Sequence, residues 1–183
     1  YYLVIYTNND SINYLSKYSG NMKIKIIIKE FEDLYNYKYK DYWIKNHENN
    51  SLLNNKIDWK LNMLWSEKIY FVYETVTNKY FNTDYYGWCD IGYFRNRAND
   101  TKINDLLLWP SNNIINNLKK DSIYYGLVSN DTNKNNLLEK QILDKDEFNL
   151  PSIPINSSSI AISGGFFILY KDMKFTNIKN FCL

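Results

Sequence analysis

The sequence predicts an α/β domain with a mixed or parallel central sheet flanked by helices, and three observations carry that expectation. The chain opens with a strand-like run, a short helical stretch and a second strand-like run. A long segment with three- and four-residue apolar spacing follows. Three further β-branched and aromatic runs are then separated by polar connections. The length of 183 residues suits one domain, because a chain of roughly 150 residues already buries about 68–70% of its unfolded surface.

YLVIYT (2–7) is a short buried strand stopped by NND, where Asp10 or Ser11 can cap what comes next. SINYLSKYS (11–19) reads as a short helix closed by Gly20, and MKIKIIIKEF (22–31) as the second strand, so the opening favours parallel pairing. Residues 35–55 are polar and aromatic without a clean period, and are irregular or helical. IDWKLNMLWSEKIYFVYETVTNKYF (57–81) is the clearest helical region, as one long helix or two consecutive ones. Its apolar stripe is Ile57, Leu61, Leu64, Trp65, Ile69, Val72 and Val76, and Lys68 falls beside it. TDYYGWCDIGYF (83–94) is a strand ending on Asp90. DSIYYGLVS (121–129) and SSIAISGGFFILY (158–170) are two more strands, and between them residues 130–149 read as a loop with one short helix, stopped by Pro151 and Pro154.

Composition excludes several classes of function. With 22 Lys and Arg against 20 Asp and Glu the net charge is +2, too little for general attraction to nucleic acid or anionic membrane. The apolar runs fall short of the roughly 20 residues of a spanning helix, so no integral membrane segment is expected. Cys89 and Cys182 show neither disulfide nor zinc spacing, which fits a reducing, cytoplasmic setting. The Asn-x-Ser/Thr triplets at Asn9, Asn49, Asn99, Asn130 and Asn156 are what chance gives in an Asn-rich chain. The absence of an initial Met and the close after NIKNFCL suggest a domain cut short at its C-terminus.

The chemistry concentrates in YYGWCDIGYFRNR (85–97). In an open α/β sheet, ligands lie beyond the carboxyl ends of the strands. TNND after the first strand, DIGYFR after the strand ending at Asp90, and SGG in the last strand are therefore expected to share a rim. A carboxylate such as Asp90 can hold Mn2+ or Mg2+, which take oxygen ligands and often combine one or two carboxylates with substrate phosphates. Gly92 permits close approach, and Arg95 or Arg97 can pair with a phosphate through a planar fork. The plainer alternative is that Asp90 caps a turn and Arg95 makes a surface ion pair.

At LWSEK, WCDIGYFR and ISGGFF the chain resembles the HtrL/YibB/WlaTC family of glycosyltransferase-like proteins from bacterial surface-polysaccharide loci and large DNA viruses. In that family a Trp-x-x-Lys helix precedes a Trp-x-Asp-x-Gly strand, and a Gly-Gly-Phe segment follows. The resemblance runs from YLVIYT to FFILYK. It implies a GT-A-like, Rossmann-type fold that binds a nucleotide sugar, with Asp90 in the place of the metal-binding Asp-x-Asp signature and Gly92 where the second aspartate would stand. It further implies Thr7 and Asn8 against the nucleoside, Lys68 on ribose or phosphate, and Arg95 on the diphosphate. Gly164 and Gly165 would leave room for a sugar, and Phe166 or Phe167 would stack on it.

Each of these assignments has a structural counterpart. Lys68 can lie along the apolar stripe with its amine in water, the paired glycines can mark a bulge or a close strand crossing, and Trp65 and Trp88 are more simply core. His47, the one histidine, stands in the unpatterned KNHENN, and no Gly-x-Ser-x-Gly, phosphate loop or dinucleotide fingerprint occurs. YNYKYKDYWIK (35–45) mixes Lys with Tyr and Trp as a stacking surface would. Two classes of function follow. One is a glycosyltransferase acting from a nucleotide-diphosphate sugar on a glycan, glycoprotein or surface polysaccharide. The other is a non-catalytic carbohydrate- or protein-binding domain on the same fold.

Overall fold

The computed structural model describes residues 1–94, 102–147, 152–153 and 162–173. Its contacts divide the chain into two compact units, Tyr1–Tyr86 with Lys171–Leu183, and Gly87–Tyr170.

The first unit opens with β1 (Leu3–Thr7) and β2 (Ile24–Ile28), which pair in parallel from Leu3 opposite Ile24 to Thr7 opposite Ile28. The expected parallel start is therefore present. Its connection is a tight 3-10 helix, Ile12–Tyr18, and Gly20 takes a φ of 80° where the chain turns back, a left-handed conformation that costs glycine little. Phe31–Asp33 forms a 3-10 helix where the second strand run was expected to end, and the stretch from 35 onward that lacks a clean period in sequence forms a second 3-10 helix, Tyr35–Tyr39, and then α1 (Lys40–Asn49). The long apolar segment is one helix, α2 (Trp59–Asn78). Asp58 caps it by accepting the Lys60 N–H at 2.7 Å, and Lys79 closes it with φ 49°.

The buried face of α2 differs from the expected stripe. Met63, Glu67, Phe71 and Val72 are the buried residues, whereas Leu61 and Trp65 are 39% and 44% exposed. The first three recur at every fourth position and so share one side of the helix, a side that an apolar count passes over because Glu67 is charged. Against this helix β1 sets Tyr6, whose ring centroid is 4.6 Å from that of Phe71. The Tyr6 hydroxyl donates to the Phe71 carbonyl at 3.1 Å and lies 2.9 Å from Thr75 Oγ1.

The second unit holds a three-stranded antiparallel sheet in the order β3-β5-β4, with β3 Tyr85–Cys89, β4 Tyr124–Leu127 and β5 Ile162–Tyr170. The residues of β3 from Gly87 onward belong to this unit. The central strand carries the core, with Phe167, Ile168 and Leu169 buried. Between β3 and β4 lie α3 (Ile103–Leu107) and α4 (Asn112–Ile115), and between β4 and β5 lies α5 (Thr132–Leu143). Asp131 caps α5 by accepting the N–H groups of Asn133 and Lys134 at 3.0 and 3.1 Å.

The chain is thus mixed α/β, and its described strands form a parallel pair and a separate antiparallel sheet rather than one central sheet. The apolar pattern marks strands without naming their partners. A strand–helix–strand order suggests parallel pairing, yet β4, α5 and β5 take that order with the strands antiparallel. Among the described residues no helix is long and apolar enough to cross a membrane.

Candidate functional site

The Trp-x-Asp-x-Gly motif begins inside β3 and leaves it at Asp90. The Asp90 N–H continues the sheet by donating to the Gly165 carbonyl at 2.8 Å, and its own carbonyl accepts the Tyr93 N–H at 2.8 Å. Ile91 and Gly92 therefore form the middle of a tight turn. The Asp90 side chain is fixed as well, since the Trp88 indole N–H donates to its Oδ1. Trp88, read as core, is half-buried and instead orients the motif's carboxylate.

Opposite this turn the Gly-Gly segment is a bulge. Tyr125 pairs with Phe167 and the next residue of β4, Gly126, pairs with Ser163, so the register shifts along β5 from Phe167 to Ser163 in one step of β4. The two glycines then do different things. At Gly165 a Cβ would stand 3.1 Å from Tyr93 Cδ2 and 3.3 Å from Asp90 Oδ2, whereas at Gly164 it would meet nothing within 4 Å among the described residues. Gly165 admits the chain's own Asp90 and Tyr93, whereas no described atom crowds the Cβ position of Gly164. Phe167 is buried core, which removes it as a stacking residue, while Phe166 is half-buried.

Phe166 belongs to an aromatic cluster with Tyr93, Phe94 and Trp109, all half-buried. Trp109 lies 5.0 Å from both Phe94 and Phe166, and Tyr93 lies 5.0 Å from Phe94 and 5.6 Å from Phe166, centroid to centroid. Tyr93 and Trp109 were not singled out in the sequence. The available signal was their type alone, because Trp109 stands 19 positions after Asp90 in the chain.

The remaining candidates belong to the first unit. Thr7 and Asn8 stand at the carboxyl end of the parallel pair, where the strand-end rule for ligands holds. The Thr7 carbonyl accepts the Lys29 N–H at 2.8 Å, and Asn8 Oδ1 accepts the Ser11 N–H at 3.1 Å, so the Asn8 side chain starts the following turn. Asn9 ties this loop to Glu30, donating from its N–H and its Nδ2 to Oε1 at 3.0 and 2.6 Å, and Lys29 pairs with Glu74. Lys68 is half-buried on α2. Arg95 and Arg97 lie outside the described residues. The structure therefore brings together Asp90, Gly92 and Gly165, with Gly164 adjacent, in one unit and holds Thr7, Asn8 and Lys68 in the other.

Glu67, inside LWSEK, is the polar residue that sequence reading passed over. It is fully buried and clamps the 3-10 helix Tyr35–Tyr39, its two oxygens accepting the N–H groups of Tyr35 and Asn36 at 2.7 and 3.0 Å. Burial pushes its carboxyl above the usual glutamate range, against the pull of those two amides and of Lys29. On the same segment the Lys38 ammonium sits 3.6 Å from the Tyr35 ring centroid, and Tyr35 stacks on Tyr70 at 3.8 Å. The Lys-Tyr run thus spends part of its stacking capacity internally.

Among the described residues no group of three or more His, Cys, Asp or Glu side chains could hold a metal ion. Asp90 remains a fit for Mn2+ or Mg2+ as one protein oxygen ligand alongside phosphate oxygens and water, a set these ions accept. No family model, curated protein or solved structure matches the chain.

Proposed function

We propose that the protein is a glycosyltransferase of GT-A-like type, which takes a nucleotide-diphosphate sugar and transfers the sugar to a glycan, glycoprotein or surface polysaccharide. The observation that supports this reading is Asp90, a strand-end carboxylate oriented by the Trp88 indole beside the half-buried rings of Tyr93, Phe94, Trp109 and Phe166. Aromatic faces suit the C–H face of a pyranose, and a fixed carboxylate suits its hydroxyls. Gly164, whose Cβ position no described atom crowds, lets a ligand approach the backbone closely. The family resemblance would give Thr7 and Asn8 the nucleoside, Lys68 the ribose or a phosphate, and Arg95 the departing diphosphate, whose charge a cation stabilises. Asp90 would hold Mn2+ or Mg2+, and the bound ion would neutralise phosphate charge.

A second reading, a carbohydrate-binding domain without transfer, is favoured by one observation. Gly92 stands where the second aspartate of the metal signature would be, which leaves Asp90 a thin ligand set. One experiment separates the two. UDP, GDP, CMP and dTDP and their sugars are screened by thermal shift with and without Mn2+; a ligand at about 100 times its Kd adds about 2.7 kcal/mol of stability. The transferase reading expects a metal-dependent rise with one nucleotide that Asp90→Ala abolishes while the variant stays folded. A rise with free sugars alone supports the binding domain, and no rise with any ligand removes both.

A further inference from the structure

Tyr93 has a seat built for it. Its ring lies across the two strands β4 and β5 where each lacks a side chain. A Cβ on Gly126 would stand 2.7 Å from the Tyr93 hydroxyl, and one on Gly165 would stand 3.1 Å from its Cδ2. The separation of 2.7 Å is one that real Cβ atoms do not show, so the Tyr93 hydroxyl would have to shift over an alanine. Phe94, Trp109 and Phe166 brace the same ring from its other sides.

The seat is one link in a chain of contacts that ends on the carboxylate. The Tyr93 N–H holds the Asp90 carbonyl, the Gly165 carbonyl holds the Asp90 N–H, and the Trp88 indole holds Oδ1. The missing Gly165 side chain leaves the space occupied by Oδ2 on one side and Tyr93 on the other. Moving the ring out of its seat pulls on the turn that carries Asp90.

We propose that Tyr93 is a positioning residue: its seat across Gly126 and Gly165 sets the orientation of the Asp90 carboxylate and so the affinity of the site for its ligand. The link to affinity rests on the reading of Asp90 as the ligand-holding carboxylate. The link from seat to carboxylate does not, and the two are tested apart.

The Trp88 indole N–H reports on Asp90 directly, because it donates to that carboxylate. The Trp109 indole reports on Tyr93, whose ring stacks beside it at 6.4 Å. Both signals are followed in 15N-labelled full chain and assigned with Trp88→Phe and Trp109→Phe. Gly126→Ala is expected to shift both and to weaken the Kd for Mn2+ with the nucleotide found in the screen about tenfold, the scale for losing one pre-ordered side chain. Tyr93→Phe/Gly126→Ala is expected to restore both signals and the Kd. With the hydroxyl gone, the nearest ring carbon stands 3.7 Å from the new Cβ, an ordinary contact. Tyr93→Ala, which empties the seat without crowding it, is expected to move the Trp88 signal as well and serves if Gly126→Ala does not fold. A Trp88 signal that stays in place while the Trp109 signal moves overturns the proposal, and so does a double variant that fails to restore it. An unmoved Trp109 signal in Gly126→Ala overturns the seat itself. If the unaltered chain binds no nucleotide or Mn2+, the proposed function fails while the Trp88 readout still decides the seat.

Discussion

The two units solve the same problem, fixing a loop beside a secondary-structure element, by opposite means. In the first, a buried charge does it: Glu67 reaches from α2 and accepts two backbone N–H groups of the segment at 35–36. In the second, missing atoms do it: Gly87, Gly126 and Gly165 clear space on three neighbouring strands, and the turn at 90–93 settles into part of that space. A buried carboxylate costs desolvation that its hydrogen bonds must offset, whereas a glycine costs backbone entropy and gives room. The first arrangement is therefore sensitive to pH and to deletion, and the second to addition.

The deletion with the largest expected effect is Glu67→Ala. It strips two inward-facing amides of their acceptor and leaves a cavity, and should destabilise the chain by about 2–5 kcal/mol in urea denaturation. The same residue sets a pH dependence whose sign follows from burial. Because the folded state raises the carboxyl pKa, it binds the proton more tightly than the unfolded chain does. The stability from this group is complete below the ordinary glutamate value of about 4.3 and is lost as the pH rises through the raised folded value. Glu67→Gln should flatten that slope at the loss of one hydrogen bond. A cost below about 1 kcal/mol for Glu67→Ala, or an unchanged slope in Glu67→Gln, would break the contrast on its first side.

The addition with the largest expected effect is Gly87→Ala. The new Cβ would run into the Phe167 carbonyl oxygen, part of the backbone of the central strand, with the Ile168 Cα at 3.4 Å. A strand cannot swing aside as a side chain can, so the cost should be about 3 kcal/mol by the same denaturation measurement. A neutral result would show that the strands have more freedom than their spacing suggests.

These two positions show what the sequence made legible. The strand runs at 2–7 and 22–31, the helix at 57–81 and the runs around Asp90, Gly126 and Gly164 were all readable, because period and β-branched content are local properties. The parallel pairing of β1 and β2 followed from the opening order. The antiparallel pairing of β4 and β5 did not, since strand partners depend on contacts distant in sequence. The same limit hid part of the candidate site. Asp90, Gly92 and the Gly-Gly pair stand out as residue types, but Trp109 and Tyr93 acquire a role only once the register shifts along β5 between Ser163 and Phe167. Glu67 was hidden for another reason, because a charge in a helix reads as surface until its partners are known.

The finest form of the comparison lies within the Gly-Gly pair. Gly165→Ala would bring a Cβ against Tyr93 and Asp90 at distances where side chains give by tenths of an ångström, and should cost about 1 kcal/mol. Gly164→Ala meets no atom of the described residues within 4 Å and is not at a positive φ. Its effect on stability should be close to zero, or slightly favourable through the lower entropy of the unfolded chain. That neutrality makes it the cleanest probe of the proposed site. A methyl group at Gly164 meets no described atom, so weaker nucleotide-sugar binding at unchanged stability would point to the ligand lying there. Unchanged binding would leave the bulge as packing for Asp90 and Tyr93 alone.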